Sequence, residues 1–264
     1  MGGYIHADTE FDVELERLRL LERRYDAVTF RRLAECDLPG ARCLEVAAGA
    51  GSVARWLGEQ VGPTGSVLAT DLDPRFLADC QGGNVEVREH DITGAESLPG
   101  GFDVAHCRSL LIHLDQPLIA LDAMVAALRP GGRLLIEDAD FMTVAAADPG
   151  HPAAGAFDRV WSAGLRAITG TGSFRPWFGR GLVSLARRAG LEAIRDEAIA
   201  PLRWGGSAEA EFMLRSWTAT LPPRRALDGI STADIAAWHA ALADPQFCFY
   251  DALQVAVWAR RPGV

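Results

Sequence analysis

The chain of 264 residues is long enough for one large domain, or for one domain with a substantial insertion. A hydrophobic fraction of 49% excludes general disorder, and a net charge of −9 argues against a protein that lies along a nucleic-acid backbone. No stretch of about 18 uncharged apolar residues occurs in the sequence, so we expect no membrane insertion.

Basic residues and cysteines narrow the function classes further. All 26 Lys or Arg positions hold Arg, and the absence of Lys excludes a Walker phosphate loop, a pyridoxal Schiff base and the Tyr/Lys pair of short-chain dehydrogenases. Five scattered cysteines without a C-x-x-C pair are typical of a reducing compartment. The charged first thirty residues are unlike a signal peptide, so we predict a cytoplasmic protein.

A helix is the first predicted element. Apolar residues recur at intervals of three and four from Phe11 to Val28, with Thr9 as an N-cap, and Asp26 could start a second helix. We assign residues 1–40 to an N-terminal helical segment, either a lid over a ligand or simple packing outside the sheet. The residues that would form the lid are Tyr4, Ile5 and Tyr25.

Short apolar strands then alternate with turns and helical stretches as far as residue 140. The predicted strands are 42–47, 66–70, 85–88, 102–106 and 133–137. Five strand-then-helix units indicate a parallel sheet covered by helices, because parallel strands need crossover connections.

The alternation ends after Asp140. We assign residues 141–264 to the closing strands of the sheet and to two substrate-cap insertions, at about 141–180 and 205–244. The elements predicted in this part are a helix over 182–189, a strand over 192–199, helices near 207–221 and 232–243, and one strand over 247–260.

Glycines and acidic residues follow the first three strands. Residues 44–51 form a strand that runs into a glycine loop and a helix, where backbone N–H groups can approach a ligand. Asp71 lies 22 residues after Gly49, at the end of the next strand, where a carboxylate can accept from both ribose hydroxyls. Asp91 and Ile92 place an amine acceptor beside an apolar wall for a purine. Together these groups predict a nucleoside site at the carboxyl edge of the sheet.

Two kinds of nucleotide cofactor remain open. Residues 49–54 can be read as G-x-G-x-x-A, a fingerprint for a nicotinamide dinucleotide. Glu45 ends the first strand, however, where its charge would repel a pyrophosphate but suit an ammonium or a sulfonium. The missing Lys also counts against a short-chain dehydrogenase.

Five segments share their order and spacing with one enzyme family. They are residues 44–52, 69–74, 89–92, 102–114 and 128–133. In them the chain resembles the class I S-adenosylmethionine-dependent methyltransferases, particularly small-molecule enzymes of the menaquinone/ubiquinone-methyltransferase-like type. The resemblance implies an α/β, Rossmann-like fold in which residues 41–140 bind S-adenosyl-L-methionine. Its sheet would have seven mostly parallel strands with helices on both faces, an antiparallel last strand and helical cap insertions.

The resemblance also assigns roles to single residues. One departure is Ala47, where the family commonly has a glycine; a methyl group is tolerable there if φ is negative. Arg108 could meet the cofactor carboxylate or the substrate, or could be a surface or sheet-edge arginine. The other residues implied are Glu45, Gly49 and Gly51 at the methionine portion, Asp71 at the ribose, and Leu72, Asp91 and Ile92 at the adenine.

Methyl transfer is an in-line displacement at an activated carbon. The protein must align the reacting atoms, exclude water and, for a weakly acidic acceptor, remove a proton. Candidate bases near strand ends are His113, Glu137, Asp138 and Asp140. We choose His113 and Asp140, with a structural histidine and a capping aspartate as the alternatives. Phe141, Trp177 and Tyr250 are the predicted substrate wall, with core packing as the alternative.

The sequence therefore predicts a methyltransferase that acts on a small, aromatic or hydrophobic acceptor, with natural-product biosynthesis as one setting. The alternatives are a nicotinamide-dependent oxidoreductase and a catalytically inactive cofactor-binding partner protein. The isolated histidines His6, His151 and His239 predict no metal site. We expect a monomer or homodimer that binds neither nucleic acid nor membrane.

Overall fold

The structure is a computed structural model that describes residues 10–169, 174–220 and 227–263. The helices of these ranges are α1 Phe11–Leu33, α2 Ser52–Val61, α3 Pro117–Ala127, α4 Ala154–Thr169, α5 Leu182–Arg188, α6 Ala208–Thr220 and α7 Thr232–Ala243. The strands are β1 Arg42–Val46, β2 Ser66–Asp71, β3 Val85–Glu89, β4 Phe102–Arg108, β5 Leu128–Asp140, β6 Ala145–Ala146, β7 Glu192–Ile199, β8 Leu202–Trp204, β9 Cys248–Tyr250 and β10 Leu253–Arg260. Tyr4, Ile5 and Thr9 lie outside the described residues.

Seven strands form the main sheet in the order β3-β2-β1-β4-β5-β10-β7. Strands β1 to β5 are parallel to one another, while β10 runs antiparallel to both β5 and β7. The predicted α/β, Rossmann-like class with an antiparallel last strand is confirmed. Because the chain order changes direction at β1, the edge beside β1 and β4 is the place where open α/β sheets bind ligands.

Apolar clusters cover both faces of this sheet. Leu121 and Met124 of α3 and Leu182 of α5 pack against one face, together with the buried strand residues that point to it. Leu57 of α2 belongs to the cluster on the opposite face. Alternating strand residues thus bury both faces, as expected for a parallel sheet between two helical layers.

Helix α1 is one continuous helix, so the predicted restart at Asp26 is wrong. The carboxylate of Asp26 caps no helix of its own; it accepts hydrogen bonds from Oγ of Ser52 and from Arg108, both at 3.0 Å. These tertiary contacts tie α1 to α2 and to the end of β4. The segment between β2 and β3 forms a 3₁₀ helix, Pro74–Cys80, capped by Asp73.

The predicted single strand over 247–260 is divided into β9 and β10. Strand β9 joins a small sheet of order β6-β9-β8, whereas β10 joins the main sheet. The break falls at Asp251, which is fully buried and paired with Arg24 of α1. Strand periodicity could not predict this break, because the ion pair involves a residue of a helix far away in the sequence.

The small sheet packs with α4, α6 and α7 around a third apolar cluster. Its central side chains are Phe157, Trp238, Phe247 and Phe249, all fully buried. None of the helices in the described ranges combines the length and apolar composition needed to span a bilayer.

Candidate functional site

A cavity of about 520 Å³ lies at the carboxyl edge of the main sheet. Its floor is formed by residues that follow β1, β2, β4 and β5, and its walls by residues of α1, α4 and α6. The volume is that of a pocket for a small organic ligand.

In the glycine loop after β1, every second residue from 47 to 51 has a left-handed backbone conformation. Ala47 has φ +57°, Gly49 has φ +59° and Gly51 has φ +84°. The condition under which a methyl group is tolerable at Ala47, a negative φ, is therefore not met, and its Cβ makes this conformation strained. Ala47 and Gly49 line the cavity. Gly51 does not; a Cβ there would lie 2.1 Å from Sγ of Cys80, so close packing requires glycine.

Asp71 connects the loop to the end of β2. Its carboxylate accepts from the backbone N–H of Gly49 at 2.9 Å and from that of Asp73 at 3.0 Å. Burial raises the pKa of Asp71, although these two hydrogen bonds oppose the shift. Asp71 and the exposed Leu72 both line the cavity.

Asp91 and Ile92 lie beside them. The hydroxyl and the backbone N–H of Thr93 donate to Oδ1 of Asp91 at 2.7 and 2.8 Å, and the hydroxyl bond chiefly lowers the pKa of Asp91. The Ile92 side chain is buried at the cavity wall.

Glu45 is the first member of a buried column of charges across the sheet. Nδ1 of His106 on β4 donates to Glu45 at 2.7 Å, and Nε2 lies 3.1 Å from Glu137 on β5. Burial lowers the pKa of His106, but the two carboxylates outweigh it and raise this pKa to about 9. Burial also opposes the charge of Glu137, yet His106 and Arg32 together lower its pKa to about 2. Both Glu137 and His106 are therefore charged at neutral pH.

Arg108 is held between the sheet and α1. Its guanidinium donates to the hydroxyl of Thr29 and to Asp26, both at 3.0 Å, and lies 5.8 Å from the ring centre of Tyr25. Arg108 and Tyr25 line the cavity, so the alternative of a surface arginine is wrong.

Aromatic rings wall the other end of the cavity. The rings of His113, Phe174, Phe141, Trp161 and Trp217 follow one another with centroid separations of 5.6, 5.4, 6.0 and 5.7 Å. All five residues line the cavity. Burial, and secondarily the charge of Arg17, lowers the pKa of His113 to about 4, so its imidazole is neutral at pH 7.

Comparison with known proteins identifies the family. The methyltransferase domain profile matches residues 17–195. The chain belongs to the methyltransferase domain family. The resemblance to class I S-adenosylmethionine-dependent enzymes of the ubiquinone-methyltransferase-like type is thereby confirmed.

Individual relatives of this methyltransferase domain agree over part of their length. Methyltransferase str3 of Strobilurus tenacellus is 31% identical over 133 residues, which are 50% of this chain and 47% of that protein. The ubiquinone/menaquinone biosynthesis C-methyltransferase UbiE of Ectopseudomonas mendocina is 36% identical over 109 residues, 37% of this chain and 41% of that protein. The chain thus spans less than half the length of these curated relatives.

A solved structure supports the fold. Phosphoethanolamine N-methyltransferase 2 of Haemonchus contortus, in complex with S-adenosylhomocysteine, superposes with a TM-score of 0.54 at 18% identity. The match covers 93% of this chain and 52% of that one, and it shows the shared fold.

Besides Gly51, three residues predicted for the methyltransferase site do not line the cavity. Asp140 is buried at the last position of β5, where it pairs with Arg180 and accepts from the backbone N–H of Met142. Trp177 and Tyr250 are 42% and 47% exposed on the outer surface. The choice of these three residues rested on their sequence position near strand ends and insertions, and that position does not bring them to the site.

Sequence reasoning passed over several cavity residues. The sequence offers Asp138 only as an alternative base to Asp140, and it gives no sign that Met213 and Trp217 of α6 face a cavity. Helix α1 contributes Leu18, Leu21 and Glu22. The apolar periodicity that includes Leu18 and Leu21 is visible in the sequence, but it does not distinguish a cavity wall from ordinary core packing.

Among the described residues, no group of three or more His, Cys, Asp and Glu side chains could hold a metal ion.

Proposed function

We propose that the protein transfers the methyl group of S-adenosyl-L-methionine to a small, aromatic or hydrophobic acceptor. One observation carries the proposal: a single cavity joins the loop and carboxylates expected for the cofactor to a continuous wall of aromatic rings. Cofactor and acceptor must share one water-poor space, because transfer requires the acceptor atom, the methyl carbon and the sulfur to be in line.

The residues of the glycine-loop end fit the cofactor. Two backbone N–H groups fix the Asp71 carboxylate, and an ionised carboxylate has further lone pairs with which to accept from ribose hydroxyls. Leu72 and Ile92 offer apolar surface to a purine, with Asp91 beside them as an acceptor for its amine. Glu45 places negative charge near the expected methionine ammonium, and Arg108 offers a cation for its carboxylate. When bound, the cofactor supplies a methyl carbon already activated by a sulfonium.

At the ring-lined end, the protein has little covalent chemistry to perform. The stacked and tilted rings can hold a flat acceptor against the methyl carbon, and they exclude water. His113 is neutral and so can accept a proton from a weakly acidic acceptor. A role in natural-product biosynthesis stays a prediction.

Ligand binding tests the cofactor. Calorimetry should find that S-adenosylhomocysteine binds with micromolar-range affinity, about −8 kcal/mol, and that NADH does not bind. The family match and the charge of Glu45 both favour this outcome over a nicotinamide cofactor. Binding of NADH alone would reverse the assignment.

Transfer of a labelled methyl group to a panel of aromatic acceptors tests the activity. Product must form with the wild type and must depend on S-adenosylmethionine. S-adenosylhomocysteine binding without transfer to any acceptor would instead support the catalytically inactive partner protein.

A further inference from the structure

One carboxyl group at the cavity has no hydrogen-bond partner for either of its oxygens among the described residues. Among the described residues, the other acidic residues that line the cavity each have a partner. These pairs are Glu14 with Arg17, Glu22 with the N–H of Ser52, Glu45 with His106, Asp71 with the N–H groups of Gly49 and Asp73, Asp73 with Arg75, and Asp91 with Thr93. Asp138 is the exception.

Asp138 lies near the carboxyl end of β5 and is 4% exposed. Neither of its carboxyl oxygens has a hydrogen-bond partner among the described residues. The backbone N–H groups of Leu111 and Ile112 are close enough to favour its charged form, but burial outweighs them and raises its pKa well above the ordinary value. The empty cavity therefore contains a buried carboxyl group whose charge is disfavoured by burial and whose oxygens have unused hydrogen-bonding capacity.

A second unused polar group lies in the ring wall. Nε1 of Trp161 is buried and has no acceptor among the described residues. A buried polar group without a partner costs roughly 1–3 kcal/mol, so native proteins rarely keep one unless water or a ligand satisfies it. Two such groups in one apolar cavity indicate a ligand with polar atoms at its edge.

The cations of the cavity, by contrast, are each ion-paired, although Nε of Arg24 makes no hydrogen bond among the described residues. Within the described ranges, the arginines that line it are paired: Arg17 with Glu14, Arg24 with Asp251, Arg75 with Asp73 and Arg108 with Asp26. Of these four arginines, only Arg108 has a role in the proposed function, as the cation for the carboxylate of the cofactor. An anionic acceptor would find no spare positive charge at the ring-lined end.

We infer that Asp138 is an acceptor-binding residue that recognises a hydroxyl group on an uncharged aromatic acceptor. This inference rests on the proposed function. It adds the residue that selects the acceptor and states that the acceptor carries no charge. The carbonyl oxygen of the Asp138 carboxyl can accept from the hydroxyl, while the Trp161 N–H can donate to an oxygen of the same ligand.

An amine acceptor fits these groups less well. An alkylamine is an ammonium ion at neutral pH and has no lone pair for the methyl carbon until it loses a proton. Burial disfavours the charge that Asp138 would need to take that proton, and the Trp161 N–H cannot bind a cation. A hydroxyl group arrives uncharged and needs only the hydrogen bonds that the cavity offers.

A matched set of naphthalene probes tests the inference. Binding of 2-naphthol, naphthalene, 2-naphthylmethylamine and 2-naphthoate is measured by equilibrium dialysis with S-adenosylhomocysteine present. The wild type should bind 2-naphthol about tenfold more tightly than each of the other three, which is the effect of one hydrogen bond in a dry site.

Variants of Asp138 then assign this preference to its carboxyl group. Asp138→Ala should lose the preference for 2-naphthol over naphthalene, while Asp138→Asn should keep it within about threefold, because an amide oxygen still accepts the hydroxyl proton. Asp140→Asn is the matched control: its carboxylate lies two residues away but outside the cavity, so the preference should remain. Unchanged S-adenosylhomocysteine affinity confirms that each variant is folded.

Tightest binding of the ammonium or carboxylate probe would overturn the inference. So would a hydroxyl preference that survives in Asp138→Ala, or binding of S-adenosylhomocysteine without any of the four probes. Loss of the preference in Asp138→Asn as well would also contradict it, since an ionised carboxylate would then be required. Failure of the wild type to bind S-adenosylhomocysteine would instead refute the proposed function itself.

Discussion

His106 donates to Glu45 across the β1–β4 strand pair, with Nδ1 2.7 Å from Oε2 of the carboxylate. The imidazole is fully buried, and its other nitrogen faces Glu137. One carboxylate proposed to attract the methionine end of the cofactor is therefore oriented by a cation inside the sheet. Since a buried charge is tolerated only when it is paired, the three side chains form one electrostatic unit.

The His106 unit predicts a loss of stability in alkaline solution. The folded-state pKa of His106 is about 9, above the ordinary value of 6.5, so its stabilising contribution is complete below pH 6.5 and is lost as the pH rises through 9. The free energy of unfolding, measured by urea titration, should fall by roughly 2–3 kcal/mol over this range. His106→Gln should flatten the slope, whereas His239→Gln, which changes an exposed histidine, should not.

His106→Gln should also weaken those cofactor contacts that involve the amino-acid portion. His106→Gln should reduce the affinity for S-adenosylhomocysteine about tenfold, because Glu45 loses the buried cation that orients it. Its effect on 5′-methylthioadenosine, which lacks the amino-acid portion, should be small. An equal loss for both ligands in calorimetry would mean that His106 has only a structural role.

His113 predicts the opposite pH dependence. Its folded-state pKa of about 4 lies below the ordinary 6.5, so its contribution to stability is present above pH 6.5 and is lost as the pH falls towards 4. In His113→Gln the acid-side loss of stability should be smaller. If His113 is the base for a weakly acidic acceptor, turnover should also fall by about 10²-fold while S-adenosylhomocysteine affinity stays unchanged. If the variant keeps wild-type turnover at every pH, His113 is not a base, and the protein catalyses the reaction only by aligning acceptor and methyl group.

Ala47 predicts a stabilising substitution. Its φ of +57° costs about 1 kcal/mol relative to glycine, so Ala47→Gly should raise the free energy of unfolding by about 0.5–1 kcal/mol. Ala48→Gly is the matched control: Ala48 is not among the described non-glycine residues with positive φ, and the added backbone freedom should lower stability there. A loss of stability in both variants would show that the Ala47 methyl group contributes more by packing than it costs in strain.

Asp71 predicts a change in cofactor affinity. Asp71→Ala should weaken S-adenosylhomocysteine binding by about 1–3 kcal/mol, because it removes an acceptor for the ribose hydroxyls and frees the N–H of Gly49. Asp71→Asn keeps one acceptor oxygen and should lie between the wild type and the alanine variant. Calorimetry on the three proteins measures both effects; equal affinities would remove Asp71 from the cofactor site.

Much of the fold, and the meeting of several predicted residues at one cavity, followed from the sequence because their determinants are local. Strand β7 and helix α7 occupy the predicted ranges, since alternating and helical periodicities are properties of neighbouring residues. Asp71, Asp91 and Ile92 reach one cavity because the carboxyl ends of adjacent parallel strands must meet at one edge of the sheet.

Tertiary structure alone decided which of two similar carboxyl groups belongs to the site. Asp138 and Asp140 lie two residues apart on β5, so strand periodicity gives them the same face. Arg180, from a distant segment, pairs with Asp140 outside the cavity, while Asp138 stays unpartnered at its wall. Likewise, the sign of φ at Ala47 and the pairing of His106 with two strands depend on contacts between segments far apart in the chain. Residue types and spacing specify the elements, but the partner of each buried charge is fixed only when those elements pack.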